Sequence, residues 1–148
     1  MTPDLLFDIA TRGALPGWLL LIFLPRWRWS ARLISSVLIP ALLGGLYLVI
    51  LLRSFGDSEG GFGSLAEVQA LFSDPWALLV GWVHYLAFDL FIGAWEVRDA
   101  QRIGLHHLLV VPCLVLTLMF GPVGLLLYLV LRGVLKKRIW LDDEGTPA

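Results

Sequence analysis

Charge is what this chain has least of. Asp, Glu, Lys and Arg together make up 16% of its 148 residues, whereas 58% are apolar, and a soluble domain carries about 25% charged residues. A separate soluble domain is therefore excluded, and the composition predicts an integral membrane protein. The net charge of −1 averages basic and acidic loops, so it gives no reason to expect a nucleic-acid partner.

Cysteine is nearly absent as well. Cys113 is the only one, which excludes a disulfide within the chain and a metal site built from several cysteines. A basic amino-terminal segment is also missing, because Asp4 and Asp8 stand where a signal peptide or a transit peptide carries Lys or Arg. The first hydrophobic segment is therefore expected to be retained.

Long apolar runs dominate what is present. At about 20 residues a span, they predict an all-α integral membrane bundle, a single domain over 1–148. Its four transmembrane helices are expected at about 3–24, 33–52, 76–95 and 107–135, with an acidic, glycine-rich loop over 53–75. Pro112 and Gly121-Pro122 interrupt the last run, which is interpreted as one long, kinked helix, with a helix plus a re-entrant piece as the alternative.

Short charged segments separate the spans. Residues 96–105 are expected to form a charged turn, and Ser64 and Glu67 have the spacing of a capping box on a short helix. The positive charges leave the sidedness of the termini undecided, because they divide evenly between the two predicted sides. One side holds Arg26, Arg28, Arg32, Arg98 and Arg102, and the other holds Arg53, Arg132, Lys136, Lys137 and Arg138.

The first span contains two opposite charges. Asp8 and Arg12 are four residues apart and so lie on one helical face. Because each charge is costly in hydrocarbon, the pair is expected to face protein, at a depth that would allow contact with His84 and Asp89 of the third span. The alternative is that the first two turns lie at the membrane interface and Arg12 extends towards the headgroups.

The third span carries a row of polar side chains on one face, namely Tyr85, Asp89, Glu96 and Asp99. At 1.5 Å per residue, Asp89 lies inside the hydrocarbon. A buried carboxyl group at this depth serves either as an acid/base catalyst or as a polar contact that locks helices together. The residues alone leave these two interpretations open.

A metal site is the less favoured interpretation of the histidines. His84, His106 and His107, with Glu96 and Asp99, offer nitrogen and oxygen ligands. However, no pair of histidines has the spacing of a helical metal site, and His84 lies about 18 Å along the helix from Glu96. No metal is therefore expected. A slot for a flat, extended apolar ligand is a further interpretation, lined by aromatic residues: Trp18, Trp82, Phe88 and Phe91.

Three stretches resemble a known family: PGWLLLIFLPRW from Pro16 to Trp27, HYLAFDLFIGAWEVRDAQ from His84 to Gln101, and HLLVVPCLVLTLMFGPVGLLLYLVLR from His107 to Arg132. The family comprises small four-helix membrane proteins typified by the plant protein needed for neoxanthin synthesis and named from abscisic-acid-deficient mutants. The resemblance implies conversion of the diepoxide violaxanthin into allenic neoxanthin, or cis/trans isomerisation of such xanthophylls. Neither reaction needs a redox cofactor, so no cofactor is expected.

The resemblance therefore favours a membrane-embedded, cofactor-independent isomerase that acts on a carotenoid or retinoid-like polyene. Asp89 would be the acid/base group, supported by His84, Tyr85 and Glu96, and the substrate would contact Arg12, Asp8, Trp18, Trp82, Phe88 and Arg98. The alternatives are a non-catalytic carotenoid-binding or assembly protein and a small transporter. The expected surroundings are the lipid bilayer of a bacterial inner membrane, with carotenoid-pathway enzymes as partners and the oligomeric state left open.

Overall fold

The computed structural model describes residues 2–54 and 60–137. The predicted flexible residues 55–59 of the acidic loop, and Arg138 of the basic cluster, lie outside these ranges. Within them the chain is all-helical, with no strand. The elements are α1 (Pro3–Phe23), a π-helical segment (Ser30–Leu38) that runs directly into α2 (Ile39–Ser54), α3 (Leu65–Leu71), α4 (Pro75–Arg102), α5 (His107–Phe120) and α6 (Pro122–Lys136).

The all-α prediction is confirmed, but the count of four spans is not. Three stretches are long and apolar enough to cross a membrane: Pro3–Phe23, Ser30–Arg53 and Pro75–Arg102. The last hydrophobic run consists instead of α5 and α6, with 14 and 15 residues. At 1.5 Å per residue each is about 22 Å long, which is too short to cross about 30 Å of hydrocarbon.

The helices begin where the sequence supplies capping groups. Thr2 accepts a hydrogen bond from the Leu5 amide at the start of α1, and Asp74 caps α4 through two backbone amides. In α3 the predicted N-cap at Ser64 is confirmed, because its hydroxyl accepts from the Glu67 amide at 3.2 Å. The Glu67 carboxylate accepts from the Gly63 amide at 3.0 Å, one residue before the Ser64 amide that a capping box would engage.

Helix α4 is the centre of the bundle. It runs parallel to α1, because Trp82 contacts Thr11 near one end and the Gln101 side chain donates to the Pro25 carbonyl at the other. The π-helical segment is fixed against α1 where the Ser35 hydroxyl donates to the Gly17 carbonyl at 3.0 Å. Both buried hydrophobic clusters share α4, one with the first half of α1 and α2 and the other with α5 and α6.

Helices α5 and α6 form a hairpin that folds back at Gly121. A Cβ atom added to Gly124 would overlap the Thr117 amide nitrogen and the Cys113 carbonyl oxygen of α5. In a continuous helix Cys113 and Gly124 would be about 16 Å apart along the axis. The prediction of one long, kinked helix therefore differs from the structure. Gly121 provides the reversal with a positive φ of 45°, and Pro122 starts α6 without needing an N–H acceptor.

The hairpin returns the chain to the end of α4. The Lys136 Nζ atom comes within 3.9 Å of the Cβ position of Gly104, just beyond α4. The last basic residues therefore share a membrane face with the loop that follows α1, contrary to the even division expected from four spans. This arginine-rich face holds Arg26, Arg28, Arg32, Arg98, Arg102, Lys136 and Lys137. Arg53 lies in the last turn of α2, at the opposite face of the membrane, where α1 begins.

Helix α4 also continues further than predicted. Residues 96–102, expected to begin a charged turn, form the last two turns of α4, which ends at Arg102. Glu96 is fully buried and Asp99 is 4% exposed, because the hairpin covers the face of α4 on which they lie. Both carboxyl groups can be buried within the helix because side chains of the hairpin donate hydrogen bonds to them.

Candidate functional site

A buried charged cluster joins α4 to α6. The carboxylate of Asp99 accepts hydrogen bonds from Arg132 Nε at 2.8 Å, from the Tyr128 hydroxyl at 2.6 Å and from Arg102 at 2.6 Å. Arg132 is 1% exposed and Tyr128 is fully buried. Asp99 has therefore exchanged hydration for three donors, two of them cationic, and this arrangement stabilises a buried carboxylate.

Glu96 lies one turn before Asp99 in a less polar setting. Its Oε1 atom accepts from the Thr117 hydroxyl at 3.0 Å. Its Oε2 atom is buried and has no hydrogen-bond partner among the described residues. Glu96 therefore has one hydroxyl donor, whereas the Asp99 carboxylate one turn later accepts from two arginines and a tyrosine, so a negative charge on Glu96 is less well compensated than one on Asp99.

Asp89 lies at the tip of the hairpin. Its two carboxylate oxygens are 3.1 and 3.2 Å from the Cβ position of Gly121, which is the N-cap of α6. Asp89 thus lies beside the start of α6. Asp89 Oδ2 is buried and, within the described part of the chain, has no hydrogen-bond partner. Asp89 and Glu96 are close enough to interact electrostatically.

An apolar groove lies at the end of the bundle where α1 and α4 begin. It has a volume of about 600 Å³, within the range of small-molecule sites. The first turns of α1, the end of α3 and the first half of α4 enclose it. Its lining comprises Pro3, Asp4, Phe7, Phe72, Pro75, Leu78, Leu79, Gly81, Trp82 and Tyr85.

Tyr85 connects the groove to the polar row. It lines the groove, stacks on Trp82 with ring centroids 5.4 Å apart, and donates its hydroxyl to the Leu118 carbonyl at 3.0 Å. It also lies close enough to Asp89 to interact with its carboxylate. One face of α4 thus passes from an open apolar groove, through Tyr85, to carboxyl groups covered by the hairpin.

The sequence model of the ABA DEFICIENT 4-like family matches residues 5–128, a range that includes the groove lining from Phe7 onwards, Asp89, Glu96, Asp99 and Tyr128. The chain belongs to the ABA DEFICIENT 4-like family. Protein ABA DEFICIENT 4, chloroplastic, from Arabidopsis thaliana is 25% identical over 142 residues, which cover 89% of this chain and 62% of the plant protein. The chain thus spans less than two thirds of that relative's length. No solved structure matches the chain.

The plant relative is named as chloroplastic, so the comparison gives no support to the expectation of a bacterial inner membrane. The assignment of this ABA DEFICIENT 4-like chain to a membrane rests on its apolar helices.

The structure brings together only part of the predicted site of this ABA DEFICIENT 4-like chain. Tyr85, Asp89 and Glu96 lie along the covered face of α4, and Trp82 lines the groove. His84 and Phe88 point to another side of α4, where their rings stack 4.4 Å apart and both residues are exposed. Neither His84 nor Phe88 lines the groove.

The remaining predicted substrate contacts lie elsewhere. Trp18 is 2% exposed and packs edge-on against Gly93 in the core, so it belongs to the packing of α1 on α4. Arg98 is half-buried on a side of α4 away from Glu96. Asp8 and Arg12 bind each other at 3.2 Å on the outer surface of α1 and do not reach His84. Among the described residues, no three His, Cys, Asp or Glu side chains are grouped to hold a metal ion.

Sequence reasoning missed the hairpin's contribution to the polar row, namely Thr117, Tyr128 and Arg132. The signal was present, because Tyr128 and Arg132 are four residues apart and therefore share a face of an otherwise apolar helix. A single long span, however, places Arg132 at the opposite membrane face from Asp99, so the prediction of four spans hides the pairing.

Proposed function

We propose that this protein is a cofactor-independent isomerase of a carotenoid or related polyene. The groove would hold one end of the polyene, and Asp89 would be the acid/base group. One observation carries the proposal: Tyr85 lies between an apolar groove of about 600 Å³ and a carboxyl group at the tip of the hairpin. Membership of the ABA DEFICIENT 4-like family supports the substrate class, since the family resemblance implies xanthophyll chemistry.

The chemistry that the residues favour is proton exchange with no net redox change. For an epoxide-ended polyene, an acid gives a proton to the epoxide oxygen and the carbon–oxygen bond opens. A base then removes a proton from the neighbouring polyene carbon, and the electron pair of that carbon–hydrogen bond forms the allene. One proton enters and one leaves, so the product is an isomer of the substrate.

One carboxyl group can serve both roles in turn. Asp89 is the carboxyl group nearest the groove, beside Tyr85. In this mechanism Asp89 gives its proton to the epoxide oxygen and then, as a carboxylate, takes the proton from the polyene carbon, while Tyr85 orients the end group. Glu96 lies about 10 Å further along α4, is fully buried and supports Asp89 through their electrostatic interaction.

The test is incubation of the purified protein in lipid nanodiscs with all-trans violaxanthin, followed by chromatography of the isomers. The wild type is expected to form an isomer of unchanged mass, and Asp89→Asn to reduce the rate by about 10²-fold or more, the usual contribution of a positioned acid/base group. Glu67→Gln is the matched control, because it makes the same change of carboxyl to amide in the exposed first turn of α3.

Three outcomes discriminate among the functions. Wild-type conversion with loss in Asp89→Asn supports the proposal. Full activity of both Asp89→Asn and Glu96→Gln would exclude the assigned roles. Pigment that co-purifies unchanged with the wild type would favour the carotenoid-binding or assembly protein, an alternative supported by the groove's mainly apolar lining and by the position of Asp89 behind Tyr85.

A further inference from the structure

The outer side of α1 carries an unusual row of exposed residues. The buried positions of α1, namely Ala10, Ala14, Gly17, Trp18 and Leu21, face the bundle. On the opposite side of the helix, at about 100° per residue, lies a second row with alternating spacings of three and four residues. We call it the α1 seam; it consists of Leu5, Asp8, Arg12, Leu15 and Leu19.

Every position of the α1 seam is exposed in the single chain. Leu5, Leu15 and Leu19 are 49%, 46% and 54% exposed, and the side chains of Asp8 and Arg12 are 57% and 77% exposed. Apolar exposure is ordinary for a helix that faces lipid. An exposed ion pair is not, because charged residues inside membrane spans almost always face protein or a water-filled cavity.

The depth of the pair makes this exposure costly. α1 begins at Pro3, so at 1.5 Å per residue Asp8 lies about 7 Å and Arg12 about 13 Å along the helix axis. Arg12 is thus near the middle of a span 21 residues long. Their mutual bond, at 3.2 Å, does not remove the cost, since both side chains remain largely uncovered on the side of α1 that faces away from the bundle.

The spacing identifies what covers these side chains. A three–four repeat is the seam of a left-handed pair of helices, in which each residue enters a hole formed by four residues of the facing helix. Two copies inserted in the same direction place their α1 helices parallel. In that register the hole that receives Arg12 is bounded by Asp8 of the partner subunit, one turn earlier.

We infer that the α1 seam is a homodimer interface, in which Arg12 of each copy binds Asp8 of the partner subunit at membrane depth. The two-fold axis is perpendicular to the membrane. Each copy contributes one acid and one base, so the four charges form a neutral cluster, and Leu5, Leu15 and Leu19 pack above and below it. The two polar layers in an otherwise apolar seam also fix the register of the two helices.

Cysteine cross-linking in native membranes tests the contact without changing the charges. The native Cys113 is buried and stays in place. Leu15→Cys is expected to give a covalent dimer on mild oxidation. Leu42→Cys, at a position of α2 that is 67% exposed and so more accessible than Leu15, is the control and is expected to remain monomeric. Equal cross-linking at both positions, or none at Leu15, would contradict the interface.

Charge exchange tests the ion pair itself. Asp8→Arg and Arg12→Asp each give a chain with two like charges, and each is expected to weaken self-association by about tenfold or more, the effect of losing an interhelical polar contact. Co-expression of the two variants with different tags is expected to restore association as a heterodimer.

Three results would overturn the inference: self-association of either variant at the wild-type level, failure of the two to pair, or a wild type that stays monomeric at high protein-to-lipid ratio. In the last case Arg12 extends to the headgroups of its own membrane face instead. The inference is independent of the proposed isomerase activity, which none of these measurements involves.

Discussion

Removal of the Arg132 side chain gives the sharpest test of how the hairpin is held. Arg102 and Arg132 bind the same Asp99 carboxylate. Bond length predicts that the Arg102 pair is the stronger one, whereas burial predicts that the Arg132 pair is. Arg102 is closer to Asp99, at 2.6 Å, but its side chain is 31% exposed, whereas Arg132 is at 2.8 Å and only 1% exposed. Burial decides the energy of an ion pair, because water screens an exposed pair.

We therefore expect unequal losses of stability from the same substitution. Arg132→Gln removes the buried cation and leaves Asp99 with Tyr128 and the partly exposed Arg102, so it should lower the free energy of unfolding by about 3 kcal/mol, the lower end of the cost of breaking a buried ion pair. Arg102→Gln should cost about 0–1 kcal/mol, as for an exposed pair. In Asp99→Asn/Arg132→Gln both charges are gone, so the double variant should lose less than the sum of the two single losses.

Denaturation in detergent micelles, followed by tryptophan fluorescence, measures these differences. Trp95 is a local reporter, since its ring lies 5.4 Å from that of Tyr128 in an edge-on contact. Equal losses for the two arginine variants would refute the argument from burial. Strict additivity in the double variant would show that Asp99 and Arg132 are not coupled.

Two further predictions concern the hairpin. Gly124→Ala should destabilise the protein by about 3 kcal/mol or more, because the new methyl group would meet backbone atoms of α5 that cannot move aside. Gly133→Ala in the same helix, where no atom lies within 4 Å, is its control in thermal unfolding, and equal effects would contradict the close packing at Gly124. Reporter domains fused to the two ends should lie on opposite membrane faces, with the carboxyl end cytoplasmic beside the arginine-rich face; reporters on the same face would exclude the re-entrant hairpin.

Much of the fold was predictable because helices that cross lipid are specified locally. Apolar length predicted α1, α2 and α4, and the caps at Thr2, Ser64 and Asp74 lie where the sequence places them. The end of α4 was not predictable in this way. Hydropathy stops the helix at Glu96, whereas the backbone continues to Arg102, because donors some 20 to 35 residues later in the chain cover the carboxylates.

The candidate site was predictable on α4 and unpredictable elsewhere. Periodicity placed Tyr85, Asp89 and Glu96 on one face, as the structure has them. It gave no information about which neighbour covers that face, since this depends on the reversal at Gly121. The depths of Arg12 and His84 in the membrane suggested that they meet. Depth does not determine how each helix is rotated about its own axis, and in the structure the two side chains point in different directions.

The hairpin also imposes an order on the assembly of the protein in the membrane. Neither α5 nor α6 is long enough to span the membrane independently, so hydrophobicity alone does not hold the hairpin at its depth in the bilayer. Three of its polar groups, Thr117, Tyr128 and Arg132, bind carboxyl groups of α4. α4 must therefore be inserted before the hairpin can pack at its final depth. Since α4 is synthesised first, the carboxyl groups that bind the last third of the chain are already available when that part emerges from the ribosome.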